Sequence, residues 1–173
     1  MEERAQARLR AAYGEAWGAL RAGRAATAER QLRAIQAAAP GEVNSLRLLG
    51  VALLDQDKVA QAVETLERAV ASAPEFWHAR TDLARAYRRA GRLEAAREEL
   101  QRVVAAEPGL EAAWLAYGDV LVELQKYPDA RVAYERARRC DPYAGRIEEA
   151  TAALTAEDRK TAEFIFRGRH SPA

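Results

Sequence analysis

Proline recurs at a fixed interval along this chain of 173 residues. Four of its six prolines are each separated from the next by 34 residues; they are Pro40, Pro74, Pro108 and Pro142. A constant interval of this length is typical of proteins built from one repeated supersecondary unit. In such an array each unit buries its apolar face only against its neighbours, which leaves an extended surface suited to holding a partner.

Aligning the units on these prolines shows that side-chain size recurs with the same period. With proline at position 32, the units are residues 9–42, 43–76, 77–110 and 111–144. Position 8 is always small (Ala16, Gly50, Ala84 and Gly118), as is position 20 (Ala28, Ala62, Ala96 and Ala130). Position 24 is always large (Leu32, Leu66, Leu100 and Tyr134). Small residues facing large ones allow two helices to approach closely, so the pattern predicts packed helix pairs.

The second unit shows how each pair is built. Leu46, Leu49 and Leu53 recur at helical spacing, residues 55–58 interrupt the pattern, and Val59 resumes it. The interruption predicts a tight turn, whose central column reads Gly23, Asp57, Gly91 and Gln125. The first three of these residues readily adopt the left-handed conformation that a sharp reversal requires, whereas glutamine fits least well. Proline disfavours the helical conformation of the residue before it, so each periodic proline predicts the end of a second helix.

These columns resemble the tetratricopeptide repeat family, whose 34-residue unit carries a large residue, a Leu-Gly pair, an aromatic residue, Ala, an aromatic residue, Ala and Pro in that order. The second unit matches with Leu46, Leu49-Gly50, Leu53, Ala62, Leu66, Ala69 and Pro74. The fourth matches with Trp114, Tyr117-Gly118, Leu121, Ala130, Tyr134, Ala137 and Pro142. Glu15 and Arg80 depart from the pattern, because both stand in columns that are usually apolar.

The resemblance implies an all-α fold, a right-handed α-solenoid of four units over residues 9–144. Residues 1–8 would extend the first helix, and residues 145–173 would form capping or partial-repeat helices with a basic tail. The resemblance also implies that the first helix of each unit lines a concave groove. The candidate groove residues are Tyr13, Trp17, Asn44, Arg47, His78, Thr81, Arg85, Arg88, Arg89 and Asp119.

The composition of this groove predicts its partner. It is aromatic near the N-terminus, basic in the middle and acidic beyond. Because guanidinium groups bind carboxylates bidentately, we expect an acidic protein or peptide segment opposite Arg47, Arg85 and Arg89. A nucleic-acid partner ranks lower, since the formal net charge is only +1 and aromatic residues are not interleaved with the arginines.

The sequence contains no pattern that indicates catalysis. It has two histidines about 90 residues apart, one cysteine, and neither a zinc-binding pair nor a phosphate-binding loop. We therefore expect no enzymatic activity, no metal and no cofactor. The charged first residues and the lack of a long apolar run predict a protein without membrane partners and with a cytoplasmic location. The abundance of alanine and arginine suggests a bacterial source.

The C-terminal segment leaves alternatives open. Thr155 and Asp158 form the start signal of a helix that would end in Phe164, Ile165 and Phe166. This helix could cap the fourth unit or contact another copy of the chain, or the natural polypeptide could continue. The leading functional hypothesis is a non-catalytic interaction scaffold. The alternative is the N-terminal repeat region of a larger bacterial enzyme, similar to the arrays that precede sulfotransferase or glycosyltransferase domains, used for substrate presentation or dimerisation.

Overall fold

The computed structural model describes residues 2–140, and their side chains from residue 7 onward. Eight α-helices and no strand occur in this range. They are α1 (Glu2–Arg21), α2 (Ala25–Ala38), α3 (Val43–Asp55), α4 (Val59–Ser72), α5 (Trp77–Arg89), α6 (Leu93–Ala106), α7 (Glu111–Glu123) and α8 (Tyr127–Cys140). The predicted all-α repeat fold is confirmed. The predicted C-terminal helices, with Phe164, Ile165 and Phe166, lie outside the described residues.

Within the described residues, three of the periodic prolines lie just beyond the second helix of a pair. Helix α2 ends two residues before Pro40, α4 two residues before Pro74, and α6 two residues before Pro108. The residue preceding proline is driven out of the helical conformation, so the chain must leave the helix there. The boundaries of the 34-residue units remain a prediction.

The turn inside each pair is left-handed at one residue. Gly23 has φ +69°, Asp57 +60°, Gly91 +73° and Gln125 +59°. Glycine adopts this conformation without steric cost, whereas a side chain at Gln125 raises the energy by about 1–2 kcal/mol. The recurring backbone geometry therefore overrides the local preference of Gln125.

The chain divides into two compact units that are each larger than one 34-residue repeat. We call Met1–Glu99 the first unit and Leu100–Ala173 the second unit, and we call the 34-residue segments repeats. In the first unit, α1 to α5 pack against one another in chain order. Helix α3 also contacts both α1 and α5, so the first helices of three successive pairs lie side by side. We call the surface predicted to carry the candidate groove residues of these helices the α1–α3–α5 face.

Close helix contacts occur where the small column meets the large one. A methyl group added to Gly50 would clash with the Leu66 side chain, and one added to Gly118 would clash with the Tyr134 ring. Leu66 and Tyr134 are both buried. The pairing of small with large side chains therefore sets how closely α3 approaches α4 and α7 approaches α8.

Arg80, which departs from the apolar pattern, makes the same kind of hydrogen bond that Trp114 makes at the equivalent position 34 residues later. In the second unit, Trp114 Nε1 donates to the carbonyl oxygen of Pro108 at 2.8 Å. In the first unit, Arg80 Nε donates to the carbonyl oxygen of Pro74 at 2.6 Å. Both side chains are flat and present an N–H group, so arginine can replace tryptophan at this position.

Candidate functional site

The aromatic end of the α1–α3–α5 face includes an exposed tryptophan. Trp17 on α1 is 45% exposed and is one of two large apolar side chains that are exposed among the described residues, the other being Val132. One turn earlier, Tyr13 borders a cleft of about 360 Å³, which we call the Tyr13 cleft. Its lining residues are Leu9, Arg10, Tyr13, Ile35, Glu42 and Asn44. The structure thus brings Tyr13 and Asn44 together.

Asn44 is held by the cap of its own helix. The Glu42 carboxylate accepts hydrogen bonds from the backbone N–H groups of Asn44 and Ser45, at 3.2 and 2.6 Å. It also accepts one from the Asn44 side-chain amide at 3.2 Å. These bonds satisfy N–H groups that the first turn of a helix leaves unpaired, and they fix Asn44 at the edge of the cleft.

Two of the predicted carboxylate-binding arginines share a carboxylate within the protein. Arg47 Nη1 on α3 lies 2.7 Å from Asp82 Oδ2 on α5, and both side chains are largely buried. Arg85 Nη1 lies 3.4 Å from Asp82 Oδ1, but the Arg85 side chain is 55% exposed. Arg47 Nε is buried without a hydrogen-bond partner within the part of the chain that the structure describes. Asp82 therefore holds Arg47 tightly and Arg85 loosely.

Asp82 was not among the candidate residues. Asp82 lies on α5 between Thr81 and Leu83, and both of these neighbours are buried. A charged residue at such a place in a helix is a signal that could have identified it. A buried carboxylate requires a cationic or hydrogen-bonding partner. The sequence does not show that this partner is Arg47, because 35 residues separate the two.

Arg89 connects α5 to the turn of the preceding pair. Its Nη2 lies 2.7 Å from Asp57 Oδ1, and its Nη1 donates to the carbonyl oxygen of Leu54 at 3.3 Å. The Arg89 side chain is 45% exposed and that of Asp57 82% exposed. An ion pair exposed to this extent contributes little net stability, so a competing carboxylate can displace Asp57.

The remaining candidates differ in accessibility. Thr81 is buried and donates its hydroxyl to the carbonyl oxygen of Trp77 at 2.9 Å. His78 is exposed, with its ring centroid 5.9 Å from that of Phe76. Arg88 is half-buried on α5. Asp119 belongs to the second unit, where it accepts a hydrogen bond from the Tyr134 hydroxyl at 3.0 Å.

Two pKa values in the first unit depart from their usual range. The pKa of Glu29 falls from 4.5 to about 2, chiefly because Lys58 Nζ donates to its carboxylate at 2.7 Å. Burial raises the pKa of Tyr87 to about 12, with a further contribution from its hydrogen bond to Glu67. Neither group is among the candidate groove residues, so both shifts are interpreted as effects of packing.

The α1–α3–α5 face offers aromatic groups, which attract cations, and guanidinium groups, which bind carboxylates. Over residues 2–140, no group of three or more histidine, cysteine, aspartate or glutamate side chains is arranged to hold a metal ion. None of the helices in that range is long and apolar enough to cross a membrane.

Two sequence models described as tetratricopeptide repeat match the chain, one over residues 13–75 and the other over residues 53–111. Together they span residues 13–111, more than half of the chain. Among curated protein sequences, none matches.

Several solved structures named MamA are similar in fold. A MamA RS-1 double mutant is 20% identical with a TM-score of 0.71, covering 92% of this chain and 90% of its own. MamA AMB-1 is 24% identical with a TM-score of 0.70, covering 87% and 89%. MamA from Desulfovibrio magneticus RS-1 is 18% identical with a TM-score of 0.66, covering 94% and 97%. At these identities the likeness concerns the fold.

Proposed function

Because this chain belongs to the tetratricopeptide repeat family, we propose that it is a non-catalytic scaffold that binds a protein or peptide segment on its α1–α3–α5 face. Proteins of this fold present extended surfaces built from successive units, which suit them to hold another polypeptide. In this chain the surface comprises aromatic groups on α1 and arginines on α5.

The observation that carries the proposal is the exposure of Trp17. Burying a tryptophan side chain removes a large apolar area from water, and aromatic anchors of this kind contribute most of the binding free energy at many protein interfaces. Trp17 is 45% exposed on α1, and both α1 and the arginine-bearing α5 contact α3. A partner that covers Trp17 would therefore gain binding energy there.

Arg85 and Arg89 give the partner its chemistry. They lie one helical turn apart on α5, and each keeps about half of its side chain exposed. Their partners within the protein are weak, since Asp82 lies 3.4 Å from Arg85 and Asp57 is itself exposed. A segment with acidic residues can replace these contacts with bidentate ones. Arg47 is largely buried and paired with Asp82, so we assign the carboxylate contacts to Arg85 and Arg89.

The proposal is tested by capturing partners with immobilised protein from a lysate of the source organism and quantifying them by mass spectrometry. Two variants change the face: Trp17→Ala, and Arg85→Glu combined with Arg89→Glu. We expect each to reduce the recovery of captured proteins by about tenfold or more, equivalent to roughly 1.4 kcal/mol. Helicity should remain unchanged, because these side chains are exposed.

A matched control is Arg30→Glu combined with Arg68→Glu. These arginines are exposed on α2 and α4, the second helices of their pairs, so the control has the same change in net charge away from the face. It should capture the same proteins as the wild type. If both face variants also recover those proteins in full, the proposed function is wrong.

A further inference from the structure

The junction between the second and third predicted repeats contains a filled aromatic site. Phe76 packs against a buried apolar cluster of Leu46, Ala69 and Ala79. The Arg47 guanidinium lies 5.8 Å from the centre of the Phe76 ring, and the His78 ring centroid lies 5.9 Å away at 45°. Val43 packs on the same cluster. Phe76 is therefore enclosed by side chains from both repeats.

The Tyr13 cleft occupies the corresponding place one repeat earlier. The equivalents of Phe76, Arg47, His78 and Val43, each 34 residues earlier, are Glu42, Tyr13, Asn44 and Leu9. All four of these residues line the cleft. The Glu42 carboxylate caps α3, so residue 42 places no ring in the space that corresponds to the one Phe76 fills in the next repeat.

We infer that the Tyr13 cleft receives an aromatic side chain of a protein partner, with an acidic residue beside it. The inference rests on the proposed function, because Tyr13 and Asn44 belong to the α1–α3–α5 face. A cavity of roughly 150 Å³ is large enough for benzene, and the cleft measures about 360 Å³. Leu9 and Ile35 provide apolar contacts, and the Tyr13 ring can stack on the incoming ring as Arg47 lies over Phe76.

The charge at the rim of the cleft selects the neighbouring residue of the ligand. Arg10 lines the cleft and is exposed. Among the side chains that the structure describes, it has no ion-pair or hydrogen-bond partner. Glu42, the other charged lining residue, is engaged by three N–H groups of the α3 cap. An acidic residue next to the aromatic one would therefore pair with Arg10.

The test fills the cleft from within the protein. Glu42→Phe places a ring where the next repeat carries Phe76. Glu42→Ala is the matched control, because it loses the same cap but leaves the cleft open. The probes are the peptides acetyl-Gly-Glu-Phe-Glu-Gly-amide, the same peptide with Ala in place of Phe, and the same peptide with Lys in place of both Glu. Binding is followed in amide NMR spectra of the full chain.

We expect the phenylalanine peptide to shift the amide signals of Leu9, Tyr13 and Asn44 in the wild type and in Glu42→Ala. Binding should weaken about tenfold or more in Glu42→Phe, and likewise with either altered peptide in the wild type. Equal binding to both Glu42 variants would overturn the inference, as would a lack of shifts up to roughly 10 mM peptide, since even a weak aromatic fragment site is detectable there. Shifts that appear on concentrating the protein alone and vanish in Glu42→Phe would identify a second copy as the occupant, which also overturns it.

The result of the peptide test can be distinguished from the result of the partner-capture test of the proposed function. If the peptide test fails while Arg85→Glu with Arg89→Glu still abolishes partner capture, only the aromatic site is wrong. If the phenylalanine peptide binds as expected while both face variants recover partners in full, the proposed function is wrong and the aromatic site is right.

Discussion

The two junctions of the first unit show that one backbone arrangement can be held together by different chemistry. Between the first and second predicted repeats, Gln36 Nε2 donates to the Glu42 carbonyl oxygen at 2.8 Å and to Ser45 Oγ at 2.5 Å. One repeat later the equivalent positions hold Val70, Phe76 and Ala79, which pack with Leu46 and Ala69 in an apolar cluster. Each polar residue of the first junction is thus replaced by an apolar one at the second.

This difference affects both stability and binding. Burying a large apolar side chain contributes more to the free energy of folding than a single hydrogen bond does, because the net contribution of a hydrogen bond is about 1 kcal/mol. The apolar junction is therefore expected to be the stronger of the two. The polar junction does not fill its space, and the Tyr13 cleft is the result. An incompletely packed junction is one way in which a repeat protein can provide a ligand site.

The largest expected effect is the loss of Leu46. This residue is 1% exposed, so Leu46→Ala should lower the free energy of unfolding by about 2–5 kcal/mol, through lost burial and the cavity left behind. The measurement is urea unfolding followed by circular dichroism. A loss below about 1 kcal/mol would show that the apolar junction is not the stronger one.

The polar junction can be broken by Gln36→Ala. Ser45 is fully buried, and its hydroxyl loses the Gln36 contact, so we expect a loss of about 1–2 kcal/mol in the same experiment. The combined variant Gln36→Val with Ser45→Ala installs the residues of the apolar junction. It removes both hydrogen-bonding groups together and should cost less than Gln36→Ala alone. A greater cost would show that the hydrogen bonds, and not the packing, determine this junction.

Filling the first repeat should stabilise it. Ala12 stands where the next repeat carries Leu46, and it lines a second cleft of about 410 Å³ with Leu9, Ala34 and Ile35 among others. Ala12→Leu should raise the free energy of unfolding by about 0.5–2 kcal/mol, as cavity-filling substitutions commonly do. The control, Ala16→Leu, enlarges a fully buried position and should be destabilising instead. A decrease for Ala12→Leu would mean that the cleft cannot accommodate the side chain.

The smallest effect concerns pH. Glu29 on α2 contacts Lys58 and Gln56, which follow α3, at 2.7 and 2.8 Å. Because folding lowers the pKa of Glu29 from 4.5 to about 2, the stability it contributes is fully present above pH 4.5 and is lost as the pH falls towards 2. Its partners are partly exposed, so the effect should be on the order of 1 kcal/mol.

The matching variant is Glu29→Gln, studied by urea unfolding at several pH values. The difference in stability between wild type and variant should be constant above pH 4.5 and shrink below it. A difference that stays constant down to pH 2 would contradict the assigned pKa.

Much of the fold was predictable because the relevant interactions are local and recur. The spacing of Leu46, Leu49 and Leu53 predicts helix α3 from its own residues. Pro74 predicts where α4, the second helix of the same pair, ends. The pairing of Gly50 with Leu66 follows from a small and a large column in register. Gln125 was the exception, since its own preference opposes the conformation that the turn imposes.

The candidate site was less predictable. The sequence predicts that Tyr13, Trp17, Arg85 and Arg89 share one face, which stays a prediction, and it did not show that Asp82 pairs with Arg47. Which charges pair depends on their distance in the folded protein. A salt bridge between two residues that are 35 positions apart produces no repeating pattern in the sequence. The cleft beside Tyr13 was also missed, because a gap depends on the residues that fail to fill it.

The amino-acid sequence by itself determined the helical pairs, their turns and the columns through which helices pack, because these depend on periodic residue size and on backbone preferences that act within one unit. Only the tertiary structure decided that Arg80 replaces a tryptophan hydrogen bond, that Arg47 is held by a buried carboxylate, and that the first junction retains an open cleft. Those outcomes depend on side chains from different helices meeting at distances of a few ångströms, which no single repeat encodes.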